Sequence, residues 1–219
     1  MRDMHCHILP GVDDGAQDMS ASLAMLAAAK EAGVTSMVCT PHCRDPYFDY
    51  NAMWDAFEEF APMAQAEGVI ATMGFEVNHA KLMDLGYGWI DRLAFDNGRE
   101  FLLELSSRAT KAHFAEYERT IFEIQSRGYE VIIAHPERYQ AIQKDVSIAR
   151  DLVRMGCRLQ ASADFVAGGR LGAERKPAKM LFEENLYSYI ASDAHRPEHY
   201  KLLAQARKTY RTRGKHARL

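Results

Sequence analysis

Residues 18–42 read DMSASLAMLAAAKEAGVTSMVCTPH, and they contain one complete passage from helix to strand. Asp18 or Ser20 offers a capping side chain, the Ala-, Leu- and Met-rich run places Leu23, Leu26 and Ala27 on one helical face, and Gly33 stops it. The apolar and β-branched residues of VTSMVCT then read as a strand, which runs through Thr40 and Pro41 into His42. A strand buried on both faces that ends in an imidazole puts a metal-competent side chain at the rim of a sheet.

The same unit recurs along the chain. Helix 50–68 (YNAMWDAFEEFAPMAQAEG) precedes strand 69–77 (VIATMGFEV), strand 100–106 (EFLLELS) follows, and helix 111–128 precedes strand 129–135 (YEVIIAH). Helix 146–156, strand 157–163, helix 177–185, strand 186–192 and a helix from about His199 to Arg213 complete the order. With a strand at the start of the chain this predicts seven strands. Pro62 should kink or shorten its helix, and residues 78–99 (NHAKLMDLGYGWIDRLAFDNGR) have no clear period, so one crossover there should be irregular. Helices linking apolar strands favour a parallel α/β sheet, and a distorted seven-stranded (β/α) barrel of the TIM type is the economical arrangement.

Composition narrows the function classes. A chain of 219 residues with 47% hydrophobic content suits one domain spanning 1–219. With 27 basic and 30 acidic residues, net charge −3, neither nucleic acid nor an anionic membrane is an expected partner, and the basic stretch 207–218 reads as a solvated helix end. No run approaches eighteen apolar residues, so no membrane insertion is expected, and a cytoplasmic location is. Cys6, Cys39, Cys43 and Cys157 lack paired spacing and are expected to be reduced.

A (β/α) barrel gathers its strand ends on one face. Six of the seven predicted strands end in a metal-ligand type: His5 and His7, His42, Glu76, Glu104, His135, and Asp193 with His195. One such residue would be an ordinary surface or capping group, but six strand ends together point to a metal centre. Alternate residues on a strand face the same way, so His5 and His7 can share an ion, as can Asp193 and His195. Mixed imidazole and carboxylate donors without a thiolate cluster suit manganese first, then iron or zinc, and so many ligands are too many for one ion, which implies two or three divalent ions.

The motifs DMHCHILPGVDDG, TPH, GFEV, HPERY and SDAH, in this order over nearly the whole chain, resemble the PHP (polymerase and histidinol phosphatase) superfamily. Within it they are most similar to the metal-dependent tyrosine-protein phosphatases of capsular and exopolysaccharide biosynthesis. The resemblance implies a distorted seven-stranded barrel with a trinuclear centre. It assigns His5, His7, Glu76 and Asp193 to one ion, Glu76, Glu104 and His135 to a second, and Asp14, His42 and His195 to a third. Asp3 would orient a histidine, and the choice of Asp14 over Asp13 rests on the family spacing alone.

Clustered cations lower the pKa of a bridging water toward about 7 and clamp phosphate oxygens, so no side-chain nucleophile is needed. Arg138 is expected to grip the phosphoryl group with its planar fork. Phenol, with a pKa of about 10, leaves readily, and His195 is the first candidate if a general acid exists. The expected substrate is a phosphotyrosine protein, a bacterial tyrosine kinase foremost. A small metabolite such as histidinol phosphate is the alternative, and a non-catalytic metal-stabilised binding module a third reading. A cysteine phosphatase is excluded, because the positions six after each cysteine hold Val12, Asp45, Asp49 and Ala163 instead of arginine. GGRLGAERK (168–176) lacks P-loop spacing and reads as a substrate-side loop.

Overall fold

The computed structural model describes residues 1–96 and 98–212. Among the described residues nine strands form: β1 (Arg2–Cys6), β2 (Ser36–Cys39), β3 (His42–Cys43), β4 (Ile70–Met73), β5 (Glu76–Asn78), β6 (Glu100–Glu104), β7 (Glu130–Ala134), β8 (Arg158–Ser162) and β9 (Tyr187–Ala191). Between them lie α1 (Met19–Glu31), α2 (Tyr50–Ala66), α3 (His79–Leu85), α4 (Ile90–Leu93), α5 (Phe114–Ser126), α6 (Gln140–Lys144), α7 (Ser147–Arg154) and α8 (Arg175–Glu183), and α9 (Glu198–Thr209) closes the order.

All strand pairs are parallel, as the helical crossovers demand. They fall into two sheets, β1-β2-β4 and β3-β5-β6-β7-β8-β9. The sheets are not closed into the distorted seven-stranded barrel expected from the sequence, because two of the predicted strands break and change sheet. One breaks at Thr40–Pro41, where proline has no N–H for the ladder. The other breaks at Gly74–Phe75, where a Cβ on Gly74 would lie 2.4 Å from the Phe95 ring. The sheets meet at the site end, where an isolated parallel bridge pairs Cys6 with Ala194, and Asp193 N and His7 N donate to His5 O and Ala194 O, each at 2.8 Å.

Alternation along the strands sorts the core. Phe101, Leu103, Val131, Ile133, Leu159 and Ala161 pack outward under the helices, while Met4, Val38, Leu102, Ile132, Ala134 and Ala191 form a smaller inner cluster. The strands carrying the inner residues end at the polar site.

Asp18, rather than Ser20, caps α1 by accepting from Ala21 N at 2.8 Å. Its buried face is Ser22, Met25, Leu26 and Ala29, and Leu23 is 39% exposed, contrary to expectation. A helix rich in Ala, Leu and Met offers little contrast between faces, so packing decides. Helix α2 runs through Pro62 without shortening. Pro62 and Glu58, whose carbonyl the proline leaves unbonded, both lie on the solvent side, where water can replace the lost bond. Residues 78–99 are irregular as expected, two short helices broken at Gly86 with φ +81°. Helix α9 ends at Thr209; Arg213 and the end of the basic stretch lie outside the described residues.

Candidate metal centre

All nine residues singled out at strand ends or after β1 converge on one pocket. His5 Nε2 and His7 Nε2 are 3.2 Å apart, and each lies 3.4 Å from Glu76 Oε2. Asp193 Oδ1 lies 3.5 Å from the first and 3.3 Å from the second. His42 places Nδ1 2.8 Å from Glu76 Oε2 and Nε2 3.1 Å from Asp14 Oδ1, and His195 Nε2 is 3.3 Å from the same Asp14 oxygen. His135 Nε2 is 2.6 Å from Glu76 Oε1 and 3.9 Å from Glu104 Oε1.

Three groups offer ligand atoms within 4.8 Å of one another: His5, His7 and Asp193; His7, Asp14, His42 and His195; and His42, Glu76 and Glu104. The grouping differs from the family assignment in giving His7 also to the Asp14 group and His42 also to the Glu104 group, in leaving Glu76 out of the His5 group, and in including His135 in none of the three. Asp14 Oδ1, Glu76 Oε2 and both ring nitrogens of His42 are buried with no hydrogen-bond partner, although they sit against one another. Two carboxylate oxygens face the two ring nitrogens of one imidazole, which when neutral has a single proton to offer them, and a cation would satisfy the lone pairs left over, so these residues fit a bound metal.

The backbone is strained where it delivers two of them. His135 has φ +31° and Asp193 φ +48°, left-handed conformations that non-glycine residues adopt at a cost, and that cluster at functional sites.

The supporting residues are mostly ones that sequence reasoning did not assign. Asp13 Oδ2 lies 2.8 Å from His7 Nδ1 and accepts from His42 N at 3.1 Å, while Oδ1 accepts from Gly15 N at 2.9 Å. Asp13 therefore faces away from the ligand atoms, and Asp14 is the residue of the pair that enters the cluster. Gln160 Oε1 lies 3.0 Å from His5 Nδ1, and Asp193 O lies 2.9 Å from His195 Nδ1. Neither the Asp13 carboxylate nor the Asp193 carbonyl can donate, so His7 and His195 carry their protons on Nδ1 and turn Nε2 lone pairs inward. A polar residue inside an apolar strand was the only signal for Gln160.

Asp3 does not orient a histidine side chain. It accepts from Ser192 N at 2.9 Å and Ser192 Oγ at 2.6 Å, two strand positions below His5, and so fixes the backbone leading into Asp193. Arg138 is 8% exposed, and its Nη2 donates to Asp193 Oδ2 at 2.6 Å, to Asp164 Oδ2 at 3.1 Å and to Ser162 Oγ at 3.1 Å. This end of the guanidinium is committed to holding Asp193 and is not available to a phosphoryl group. Arg44 and Arg170, which sequence reasoning missed, stand at the mouth against Asp14 Oδ2 at 3.4 and 3.2 Å. The signal for both was a cation in a loop on the strand-end face, after β3 and after β8.

Electrostatics hold the carboxylate donors ionised, while the same facing carboxylates, against burial, raise His5, His7 and His42. Burial alone would raise Glu76 and Asp193, but the facing histidines, and Arg138 at Asp193, hold both carboxyls well below their usual range. Burial and the neighbouring His7 push His195 down to about 4, against Asp14 and Asp193. A neutral His195 with its proton directed at the Asp193 carbonyl is not set up for the general-acid role for which the sequence made it the first candidate, if such an acid exists. Burial raises the Cys43 thiol to about 12, and a hydrogen bond with Cys39, followed by burial, raises that of Cys6; all four cysteines are free and none joins the ligand groups.

A family model for capsular polysaccharide synthesis proteins CpsB/CapC matches residues 1–216. The tyrosine-protein phosphatase YwqE of Bacillus subtilis (strain 168) is 31% identical over 205 residues, covering 89% of this chain and 77% of YwqE. A chain from the crystal structures of YwqE and of CpsB from Streptococcus pneumoniae, described as metal-dependent tyrosine phosphatases, superposes with a TM-score of 0.79 at 26% identity, over 95% of this chain and 87% of that one. A putative histidinol phosphatase from Listeria monocytogenes shares the fold at a TM-score of 0.50 and 14% identity, over 91% of this chain and 97% of its own. With a strand-end cluster suited to metal and a family model matching almost from end to end, the chain belongs to the CpsB/CapC family.

Proposed function

We propose that this chain is a metal-dependent protein-tyrosine phosphatase acting in the cytoplasm on a phosphotyrosine protein of capsular or exopolysaccharide synthesis, a bacterial tyrosine kinase foremost. The observation that carries the reading is the set of buried, unpartnered atoms of Asp14, Glu76 and His42 at the centre of nine converging ligand types, in a member of this family. Among the described residues no helix is long and apolar enough to cross a membrane.

In this reading His5, His7, Asp14, His42, Glu76, Glu104, His135, Asp193 and His195 hold two or three divalent ions, manganese first. Such ions supply Lewis-acid charge to the phosphoryl group and lower the pKa of water. The protein's part is orientation. Asp13 holds His7 in the tautomer that leaves Nε2 free, the Asp193 carbonyl does the same for His195, and Arg138 fixes the Asp193 carboxylate. A phenolate leaving group, with a pKa of about 10, needs no protonating side chain, which agrees with a neutral His195.

The test compares phosphate release from a phosphotyrosine peptide and from histidinol phosphate, with bound metal quantified by elemental analysis. The expected outcome is two or three ions per chain and peptide turnover that a chelator abolishes and manganese restores. Preference for histidinol phosphate would refute the substrate, and one ion or fewer would refute the multinuclear centre. Full metal loading with turnover of neither substrate would leave a binding module.

A further inference from the structure

The loop joining β8 to α8 is the part of the site rim that ligand assignment leaves unused. Gly168 and Gly169 have φ +118° and +86°, and a Cβ on Gly169 would lie 2.4 Å from the Glu174 carboxyl group. Glu174 is fully buried, and its two oxygens accept from Leu171 N at 2.6 Å and Ala173 N at 2.7 Å. A buried carboxylate that binds two backbone N–H groups is a fixed anchor, so the turn around residues 170–172 is a built feature.

The turn presents Arg170. Its Nη2 donates to Asp14 Oδ2 at 3.2 Å, and its Nη1 lies 3.2 Å from His195 Nε2. Arg44 reaches the same Asp14 oxygen at 3.4 Å, with its guanidinium 5.6 Å from the centre of the Tyr47 ring. The side chains of Arg170 and Arg44 are 44% and 30% exposed, against 9% for Arg138. Arg170 also lines an open cleft of about 670 Å³ with Asp14, His195 and Arg196.

His195 Nδ1 carries its proton toward the Asp193 carbonyl, so neutral Nε2 has one lone pair, and Arg170 Nη1 takes it. That lone pair cannot serve Arg170 and a cation together. A cation at His195 requires Nη1 to leave, while Asp14 Oδ2 still holds Nη2 and keeps the guanidinium at the rim with an N–H edge released. We infer that Arg170, with Arg44 as a second arm, is the clamp for the dianionic phosphate monoester of the substrate, its released edge donating to phosphoryl oxygens in the planar, charge-assisted manner that suits arginine. The inference rests on the phosphatase reading and names the residues that recognise the substrate's anion.

The test uses inorganic phosphate as the probe, titrated calorimetrically into the manganese-loaded full chain. Arg170→Ala should bind phosphate roughly ten- to a hundredfold more weakly, the loss expected for a hydrogen bond to a charged group, and Arg170→Lys should recover only part of it. Manganese content should stay at the wild-type level, and manganese affinity measured without phosphate should be equal or tighter, because a competitor for His195 is gone. Unchanged phosphate binding in fully loaded Arg170→Ala would overturn the clamp, and so would loss of metal from that variant. If wild type binds phosphate through Arg170 but leaves a phosphotyrosine peptide intact, the clamp stands and the substrate reading falls.

Discussion

Replacing Asp13 by asparagine tests whether a residue outside the ligand set controls the metal centre through a proton position. Asp13 uses two oxygens for three contacts: His7 Nδ1 at 2.8 Å, His42 N at 3.1 Å and Gly15 N at 2.9 Å. Asparagine has one oxygen. Turned toward Gly15 N, it presents an N–H to His7 Nδ1, and His7 must shift its proton to Nε2, the atom that stands 3.2 Å from His5 Nε2 and 3.3 Å from Asp193 Oδ1. Turned the other way, it leaves Gly15 N without its acceptor. Burial opposes the Asp13 charge, yet His7 and then His42 outweigh it and bring the carboxyl from 3.8 down to about 2. Nearly two pKa units correspond to about 2 kcal/mol of stability in the metal-free protein; separately, loss of the outer hydrogen-bond partner of a metal-ligating histidine typically costs about 10- to 100-fold in metal affinity, which is the effect expected of Asp13→Asn. Without metal, that stabilisation is present above about pH 3.8 and disappears as pH falls through about 2. Competition with a chelator under matched conditions measures manganese affinity, and circular dichroism checks the fold. A folded Asp13→Asn variant with wild-type manganese affinity would refute the tautomer argument.

Two further outcomes follow from buried contacts. Burial raises Glu137 to about 7 despite the Tyr187 hydroxyl at 2.7 Å and the neighbouring Arg138, so its contribution to stability is full below about pH 4.5 and lost as pH rises through about 7. Metal-free wild type should lose up to about 3 kcal/mol across that window from this group, and Glu137→Gln should remove the dependence; denaturant melts at pH 5 and pH 8 that differ equally for both proteins would count against it. Gly15→Ala would put a Cβ 2.0 Å from His7 O, and overpacking of this kind costs about 1–3 kcal/mol. Thermal melting should drop by roughly 3–10 °C, with weaker manganese binding, and an unshifted melt would show that the loop moves freely.

The convergence of the candidate ligands was legible because the structural rule and the chemistry share a coordinate: each strand can be read locally, and the residue at its end is the one that counts. His42 after VTSMVC and His135 after YEVIIA needed no knowledge of their neighbours. The broken sheet was not legible, because Gly74 breaks its strand for the sake of Phe95, a partner twenty-one positions away that no local pattern announces. The supporting residues failed for the same reason. Gln160 meets His5, Asp3 meets Ser192 and Arg170 meets His195 only through the fold. Arg138 illustrates the limit well: its distance along the chain from His135 placed it at the site, but only Asp193, Asp164 and Ser162 show that its Nη2 is already engaged.

Asp13 and Asp14 show how the division between a ligand and its support arises from one glycine. The two side chains have the same chemistry and adjacent positions, so spacing within the motif cannot separate their roles. What separates them is the path of the loop. Ala16 N donates to His7 O at 3.1 Å, which folds the segment back onto the end of β1, and the fold closes only because Gly15 has no side chain to strike that carbonyl. With the backbone held there, consecutive side chains diverge. Asp13 lies against β1, where the backbone N–H groups of Gly15 and His42 and the outer nitrogen of His7 receive its oxygens. Asp14 turns to the mouth, with one oxygen between His42 and His195 and the other between Arg44 and Arg170. The loop thus joins a carboxylate that fixes a histidine to one that faces both the candidate metal ligands and the candidate substrate clamp, and changing Gly15 should disturb both together.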